Sequence, residues 1–399
     1  MRGLYFNYSG KFTVGALSRI SLNSSGGVLC PKLEWLRLDL RKTVNALPLF
    51  RLLLSPHLKR VEFSDSSVLG PLREVWLTGL VQIISVLPTS IEALTVMCGL
   101  ERYRSLEDAI SAFVCRSGSS LRSFYSSVPV SEVAIHHIAQ LPNLRSWDII
   151  QGPPQTSPPS ISPPLEELRL LKKTALPWLR LFASHEEPVP QNGFIPVAPH
   201  ANIREKLRLL ECPNGTILDS TFLSPVLKFR NLGVLYMDNR CSEGEGCVFH
   251  LTDDDMEGLA AALPRLKYLQ LGRPCHSNSC NTTVASLLSI STHCLDLITL
   301  ETHFNTLTIA EDIRRLLDND SGRDKSKCKL SILAVGSIPL GADRKDIDME
   351  TVQRGFEFIF PRLRDFTNYG GRWYELRTRL CYGLSYGILG DRRRYIVYD

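Results

Sequence analysis

One phrase recurs along this chain and constrains its fold more than any other feature. Cys30-Pro31-Lys32-Leu33-Glu34-Trp35-Leu36-Arg37-Leu38 returns as Ser55-Pro56-His57-Leu58-Lys59-Arg60-Val61-Glu62-Phe63 and as Leu141-Pro142-Asn143-Leu144-Arg145-Ser146-Trp147-Asp148-Ile149. It returns again as Leu263-Pro264-Arg265-Leu266-Lys267-Tyr268-Leu269-Gln270-Leu271 and as Phe360-Pro361-Arg362-Leu363-Arg364-Asp365-Phe366. With the leucine after the proline as position 0, apolar residues fall at positions 0, 3 and 5. Looser copies start at Ile91, Leu121, Leu165, Leu232, Leu297 and Leu330, and a worn one reads Arg204, Leu207, Leu209. In a chain that is 44% hydrophobic, such a triplet arises by chance at about 8% of positions, roughly thirty times over this length. The weight therefore rests on the Pro-x-Leu lead-in and on the spacing. Most intervals between first positions lie between 21 and 34 residues.

Positions 3 and 5 point to one face of a strand and positions 2, 4 and 6 to the other. Helical spacing fills the stretches between copies: Leu106, Ile110, Phe113 and Val114; Val133, Ile138 and Leu141; Met256, Leu259 and Leu263. Thr252 followed by Asp255 reads as a helix start, and Pro264 as a stop. A strand–turn–helix unit of about 30 residues cannot bury its apolar faces alone and must stack on its neighbours. The spacing predicts an α/β solenoid of about 12 irregular repeats, with a curved parallel sheet on the concave side and helices and loops outside.

Three segments are expected. Residues 1–28 form an N-terminal repeat edge or partial repeat, in which Leu4-Tyr5-Phe6 reads as a strand. Residues 29–370 form the solenoid, with Pro-rich loops on its convex side near 152–164 and 185–200. Residues 371–399 form a C-terminal cap and a basic, aromatic tail. Lys plus Arg is 46 and Asp plus Glu is 41, a net charge of +5 that gives no reason to expect nucleic acid or a membrane as partner. No signal-peptide pattern opens the chain, no stretch is apolar enough to span a bilayer, and the 11 cysteines are read as reduced thiols. The expected location is cytoplasmic or nuclear.

The Pro-x-Leu-x-x-Leu-x-Leu phrases resemble the ribonuclease-inhibitor-like class of leucine-rich repeats. So does the run from Leu251-Thr252-Asp253-Asp254 through Leu259 and Leu263-Pro264 into Leu266–Leu271. The layout resembles the repeat region of fungal F-box proteins over roughly residues 29–370. That resemblance implies protein recognition by the substrate-receptor part of a cullin-RING ubiquitin ligase. No F-box-like segment precedes Cys30, so a Skp-type adaptor is implied only if an F-box exists upstream, and no adaptor-binding residue is carried over. A stand-alone leucine-rich scaffold or inhibitor is the alternative.

The expected binding residues lie at positions 2, 4 and 6 of the copies: Trp35, Arg37, Arg60, Glu62, Tyr125, Asp148, Arg169, Tyr236, Asp238, Tyr268, Glu301, His303, Asp365 and Tyr369. Tyr, Trp and Arg supply much of the energy of protein interfaces, and neither sign of charge dominates the set. Gly383-Leu384-Ser385-Tyr386-Gly387 matches a nucleophile elbow, but the last histidine is His303, so no triad can follow it. Cys241, Cys247, Cys275 and Cys280 lie just after two neighbouring copies and form a candidate zinc set, with free thiols or a disulfide as the competing readings. Asp253-Asp254-Asp255 fits the first turn of a helix better than a cation site. His136 and His137 point about 100° apart on one helix, which argues against joint ligation. No cofactor is expected, and the chain is read as a binding protein rather than an enzyme.

Overall fold

The structure, a computed structural model, describes residues 2–6, 28, 30–39, 50, 52–65, 73–98, 103–149, 165–170, 178–179, 206–213, 217–238, 249–272, 280–305, 308–319, 326–335 and 348–368. The chain divides into two units, Met1–Asn239 and Arg240–Asp399. Among the described residues of the first, nine strands follow one another: β1 (Gly3–Phe6), β2 (Trp35–Asp39), β3 (Arg60–Asp65), β4 (Ala93–Cys98), β5 (Ser123–Ser126), β6 (Ser146–Ile149), β7 (Glu167–Leu170), β8 (Leu209–Pro213) and β9 (Val234–Asp238). Each pairs in parallel with the next. Helices α1 (Arg73–Ser85), α2 (Arg104–Arg116), α3 (Glu132–Ala139) and α4 (Ser220–Val226) lie between them. The second unit carries α5 (Asp253–Ala262), β10 (Tyr268–Leu271), α6 (Val284–His293), β11 (Thr299–Thr302), α7 (Ile309–Asn319), β12 (Ile332–Val335), α8 (Met349–Ile359) and β13 (Asp365–Asn368). Its strands are parallel and in chain order too. Each unit is an α/β solenoid.

The recurrent Pro-x-Leu is a turn. The position-0 N–H donates to the carbonyl three residues earlier: Leu33 to Cys30 at 3.0 Å, Leu58 to Ser55 at 3.0 Å, Leu266 to Leu263 at 3.2 Å and Leu363 to Phe360 at 3.0 Å. Proline occupies the second place of these turns, where its preset φ fits and its missing N–H costs nothing. The strand always begins two residues after position 0, from Trp35 through Asp365.

A second device stitches repeat to repeat. The position-1 carbonyl accepts two N–H groups from the following copy. Glu34 takes Lys59 (2.8 Å) and Arg60 (3.0 Å); Arg122 takes Arg145 (2.7 Å) and Ser146 (3.1 Å); Ser331 takes Arg364 and Asp365, both at 2.9 Å. Using both lone pairs of one carbonyl fixes the register just ahead of each strand.

Positions 0, 3 and 5 form the core side of each sheet. Leu33, Leu36, Leu38, Leu58, Val61, Phe63, Ile91, Leu94 and Val96 are buried in the first unit, and Leu266, Leu269, Leu271, Leu330, Leu333 and Val335 in the second. Burying a side chain of this size contributes about 1.5–3 kcal/mol. Where position 5 is serine, at Ser126, the hydroxyl donates to the Val128 carbonyl at 2.7 Å and accepts from the Val128 N–H at 3.1 Å. The polar atom is satisfied without leaving the core.

The worn copy needs a correction. It runs Leu207, Leu210, Cys212, three residues later than Arg204, Leu207, Leu209. Leu209 pairs with Glu167 and Leu210 with Leu168, and Leu207, Leu210 and Cys212 are all buried. Consecutive leucines at 207, 209 and 210 permit both frames by pattern, and a buried cysteine acts as a small apolar residue in the true one. In α3 the buried face is Ala134, Ile135, Ile138 and Ala139, while Val133 is 71% exposed. The expected capping box is present at α5: Thr252 Oγ1 accepts from the Asp255 N–H at 3.2 Å, and the Asp255 carboxylate accepts from the Thr252 N–H at 3.0 Å. The loops at 152–164 and 185–200, the tail 371–399 and the Ser385 motif lie outside the described residues.

Candidate recognition face

Registered parallel pairing turns repeat positions into rows of side chains. In the first unit, position 4 runs Tyr5, Arg37, Glu62, Thr95, Tyr125, Asp148, Arg169, Glu211, Tyr236, one residue per strand. Position 2 runs Gly3, Trp35, Arg60, Ala93, Ser123, Ser146, Glu167, Leu209, Val234. Most side chains described on these rows are half-buried or exposed, in contrast to positions 3 and 5. The rows therefore make the open face of the sheet.

At one end Arg37 and Glu62 form an ion pair, Nε to carboxylate oxygen 3.2 Å. Trp35 lies over Gly3, where an added Cβ would sit 2.8 Å from the indole Cε3. Glycine is therefore what lets the indole come this close to β1. Further along, the register places Arg169 between Asp148 and Glu211. Asp148 is 7% exposed, so its neighbours cover much of it. The side chains of Arg169 and Asp238, and all of Tyr369, lie outside what is described.

The open face of the second unit is shorter and different. Position 2 runs Tyr268, Thr299, Ile332, Asp365, and position 4 runs Gln270, Glu301, Ala334, Thr367. The Tyr268 hydroxyl donates to Gln270 Oε1 at 2.8 Å, and Gln270 and Ala334 are buried. His303 follows β11, is 4% exposed and stacks at a tilt on Phe249, centroids 5.2 Å apart. Its carbonyl accepts from the Thr282 hydroxyl at 2.7 Å.

Sequence reasoning missed Glu211, because the worn copy was read out of frame. It also passed over position 1, which carries a chain of exposed charges just ahead of the strands. Among the described residues of the first unit its pairs are Arg2–Glu34 (3.8 Å), Lys59–Glu92 (3.5 Å), Arg122–Glu92 (3.7 Å) and Arg145–Glu166 (2.6 Å). Reading position 1 down the copies, Glu34, Lys59, Glu92, Arg122, Arg145, Glu166, gives mixed signs that would have signalled it. Each such pair contributes at most about 1 kcal/mol.

Of the candidate zinc set only Cys280 is described. It is buried, with its thiol 3.0 Å from the Thr282 hydroxyl, while Cys241, Cys247 and Cys275 lie outside the described residues. No group of three or more metal-ligating side chains converges among the described residues. Two of the three aspartates at the start of α5 have structural partners nearby. Asp255 closes the capping box, and Asp253 accepts from the Thr283 N–H and hydroxyl, both at 2.7 Å, and from the Ser286 hydroxyl. His136 and His137 sit half-buried on α3, and His137 Nε2 is buried without a hydrogen-bond partner. Burial pushes the Cys294 thiol up to about 12, with the neighbouring Cys328 adding to the shift, and raises Cys212 and Cys328 as well. Their sulfurs stay protonated and unreactive at neutral pH. Among the described residues no helix is long and apolar enough to cross a membrane.

No family model matches the chain, and no curated protein matches it. Among solved structures it is similar to a chain in the crystal structure of the Rad7 and Elc1 complex in yeast, at 16% identity, over 84% of each chain and with a TM-score of 0.41. A likeness this distant says nothing of what this chain binds.

Proposed function

We propose that this chain is a protein-recognition module that binds its partner on the open face of the first unit. The observation that carries the proposal is the pair of registered rows over β2–β9. They hold Trp35, Tyr125 and Tyr236 among charges of both signs on a rigid sheet. Rigid aromatic anchors set among polar groups are what protein interfaces select. The reading assigns the chain binding and no catalysis, no cofactor, and an intracellular setting, cytoplasmic or nuclear, in which its cysteines stay reduced.

Its proposed place is the substrate-receptor part of an F-box-type, cullin-RING ubiquitin ligase, on the resemblance of its repeats to those of fungal F-box proteins. Affinity purification of the natural gene product, beside a Tyr125→Ala/Tyr236→Ala variant, tests both levels. A partner retained by the wild type and lost from the variant supports recognition on this face. Co-purification of a Skp-type adaptor with both forms supports the ligase role. Partner without adaptor leaves a stand-alone scaffold or inhibitor, and a partner bound equally by both forms overturns the face.

A further inference from the structure

The turns ahead of the second unit's strands carry a ridge of cations. Position 1 of its four copies reads Lys267, Ile298, Ser331, Arg364, and the residue before position 0 reads Arg265, Asp296, Lys329, Arg362. Register is fixed here, because the carbonyls of Lys267, Ile298 and Ser331 each accept two N–H groups from the next copy. Lys327, at the head of its turn, adds a sixth cation, and all six side chains are exposed. The one carboxylate in these turns, Asp296, is held by Lys329 at 2.7 Å. Among the described residues no ion pair engages Arg265, Lys327, Arg362 or Arg364. Asp365, next to Arg364 in sequence, stands on the open face and has a partner of its own. At the same places in the first unit, Glu34, Glu92 and Glu166 pair with cations of neighbouring copies.

Two aliphatic side chains interrupt the cations. Leu295 and Ile298, on either side of the buried Leu297, are 45% and 46% exposed. Helices α5 and α8 end just before Arg265 and Arg362, and a helix C-terminus favours cations. That effect accounts for part of the charge, but not for leucine and isoleucine standing in water among it. We propose that this ridge is a docking surface, separate from the first unit's open face, and that its occupant is an acidic segment of a partner protein carrying an apolar residue. The segment sets carboxylates against Arg265 and Lys267 at one end and Arg362 and Arg364 at the other. Its apolar side chain covers Leu295 and Ile298. The two ends are three strand spacings apart, about 14 Å at about 4.8 Å per strand, which about five extended residues span. A phosphate backbone would meet the cations and leave the aliphatic pair in water, whereas an apolar contact within a charged rim is the anatomy of a protein interface.

The test selects random 12-residue peptides displayed on phage against the full chain and measures the affinity of those selected. One class of peptides should lose about tenfold in affinity with Arg362→Gln/Arg364→Gln, and as much with Leu295→Ser/Ile298→Ser, at unchanged melting temperature. That class should be rich in Asp and Glu, bind more weakly at higher salt, and lose affinity when its apolar residue is replaced by serine. It should bind Tyr125→Ala/Tyr236→Ala like wild type, which separates this ridge from the first unit's open face. The proposal is overturned if no selected peptide responds to the ridge variants, or if those that respond are not acidic or ignore the serine replacement. It is overturned too if a 12-nucleotide single-stranded DNA binds the ridge as tightly as the peptides do.

Discussion

Arg37 Nε lies 3.2 Å from the carboxylate of Glu62, its registered neighbour on the next strand, and both side chains are partly withdrawn from water. A directly opposed, partly buried pair of this kind couples more strongly than the exposed pairs of position 1. A double-mutant cycle by urea unfolding over Arg37→Ala and Glu62→Ala should give a coupling of about 1 kcal/mol, against about 0.3 kcal/mol for Lys59→Ala with Glu92→Ala. Equal couplings would show that burial on the open face makes no difference.

Asp253 and Asp254 are adjacent in sequence and opposite in consequence. Asp253 ties α5 to the start of α6 through Thr283 and Ser286, whereas Asp254 is exposed. Asp253→Ala is expected to cost about 2 kcal/mol, because it strips a charged acceptor from the first turn of the next helix. Asp254→Ala should stay within about 0.5 kcal/mol. Chemical denaturation of the two variants decides, and a neutral Asp253→Ala would remove the proposed tie.

Two helical glycines give opposite expectations for the same substitution. A Cβ on Gly355 of α8 would run into the side chain of Ile313 on α7, while one on Gly258 of α5 meets nothing within 4 Å. Gly355→Ala is expected to destabilise by about 1–3 kcal/mol through overpacking. Gly258→Ala should stabilise by about 0.5–1 kcal/mol, since only the loss of chain freedom remains. Thermal unfolding of the pair measures both signs at once.

The start of α8 provides a pH test. Asp348 accepts hydrogen bonds from the Thr351 hydroxyl and from the Glu350 and Thr351 N–H groups, which hold its carboxyl below the usual value. A depressed folded value means that the stabilisation is complete above the unfolded carboxylate value of about 3.9 and fades as pH falls through the folded one. The gap in melting temperature between wild type and Asp348→Ala should therefore be constant from neutral pH down to about 5, and close in stronger acid. A gap that widens in acid would contradict the cap.

Much of this architecture was legible because the repeat signal is covalent and local. A proline that fits a turn, a leucine that ends it and two inward strand positions leave a trace in any one copy. Register failed only near Leu207, where adjacent leucines allow two frames and Cys212 takes the place of a larger apolar residue. That slip hid Glu211. The exposure of Val133 and the burial of Asp148 and His303 depend on neighbours one repeat away, which a single copy does not encode. The partnership of Asp253 with Ser286 likewise joins residues 33 apart that meet only through stacking.

Photo-crosslinking probes the central claim most directly. A benzophenone side chain is placed in turn at Tyr125, at Tyr236 and at Val133, which is exposed on α3. Partner protein should be captured from the two open-face positions and not from α3. Capture from position 133 with none from 125 and 236 would contradict recognition through the open sheet.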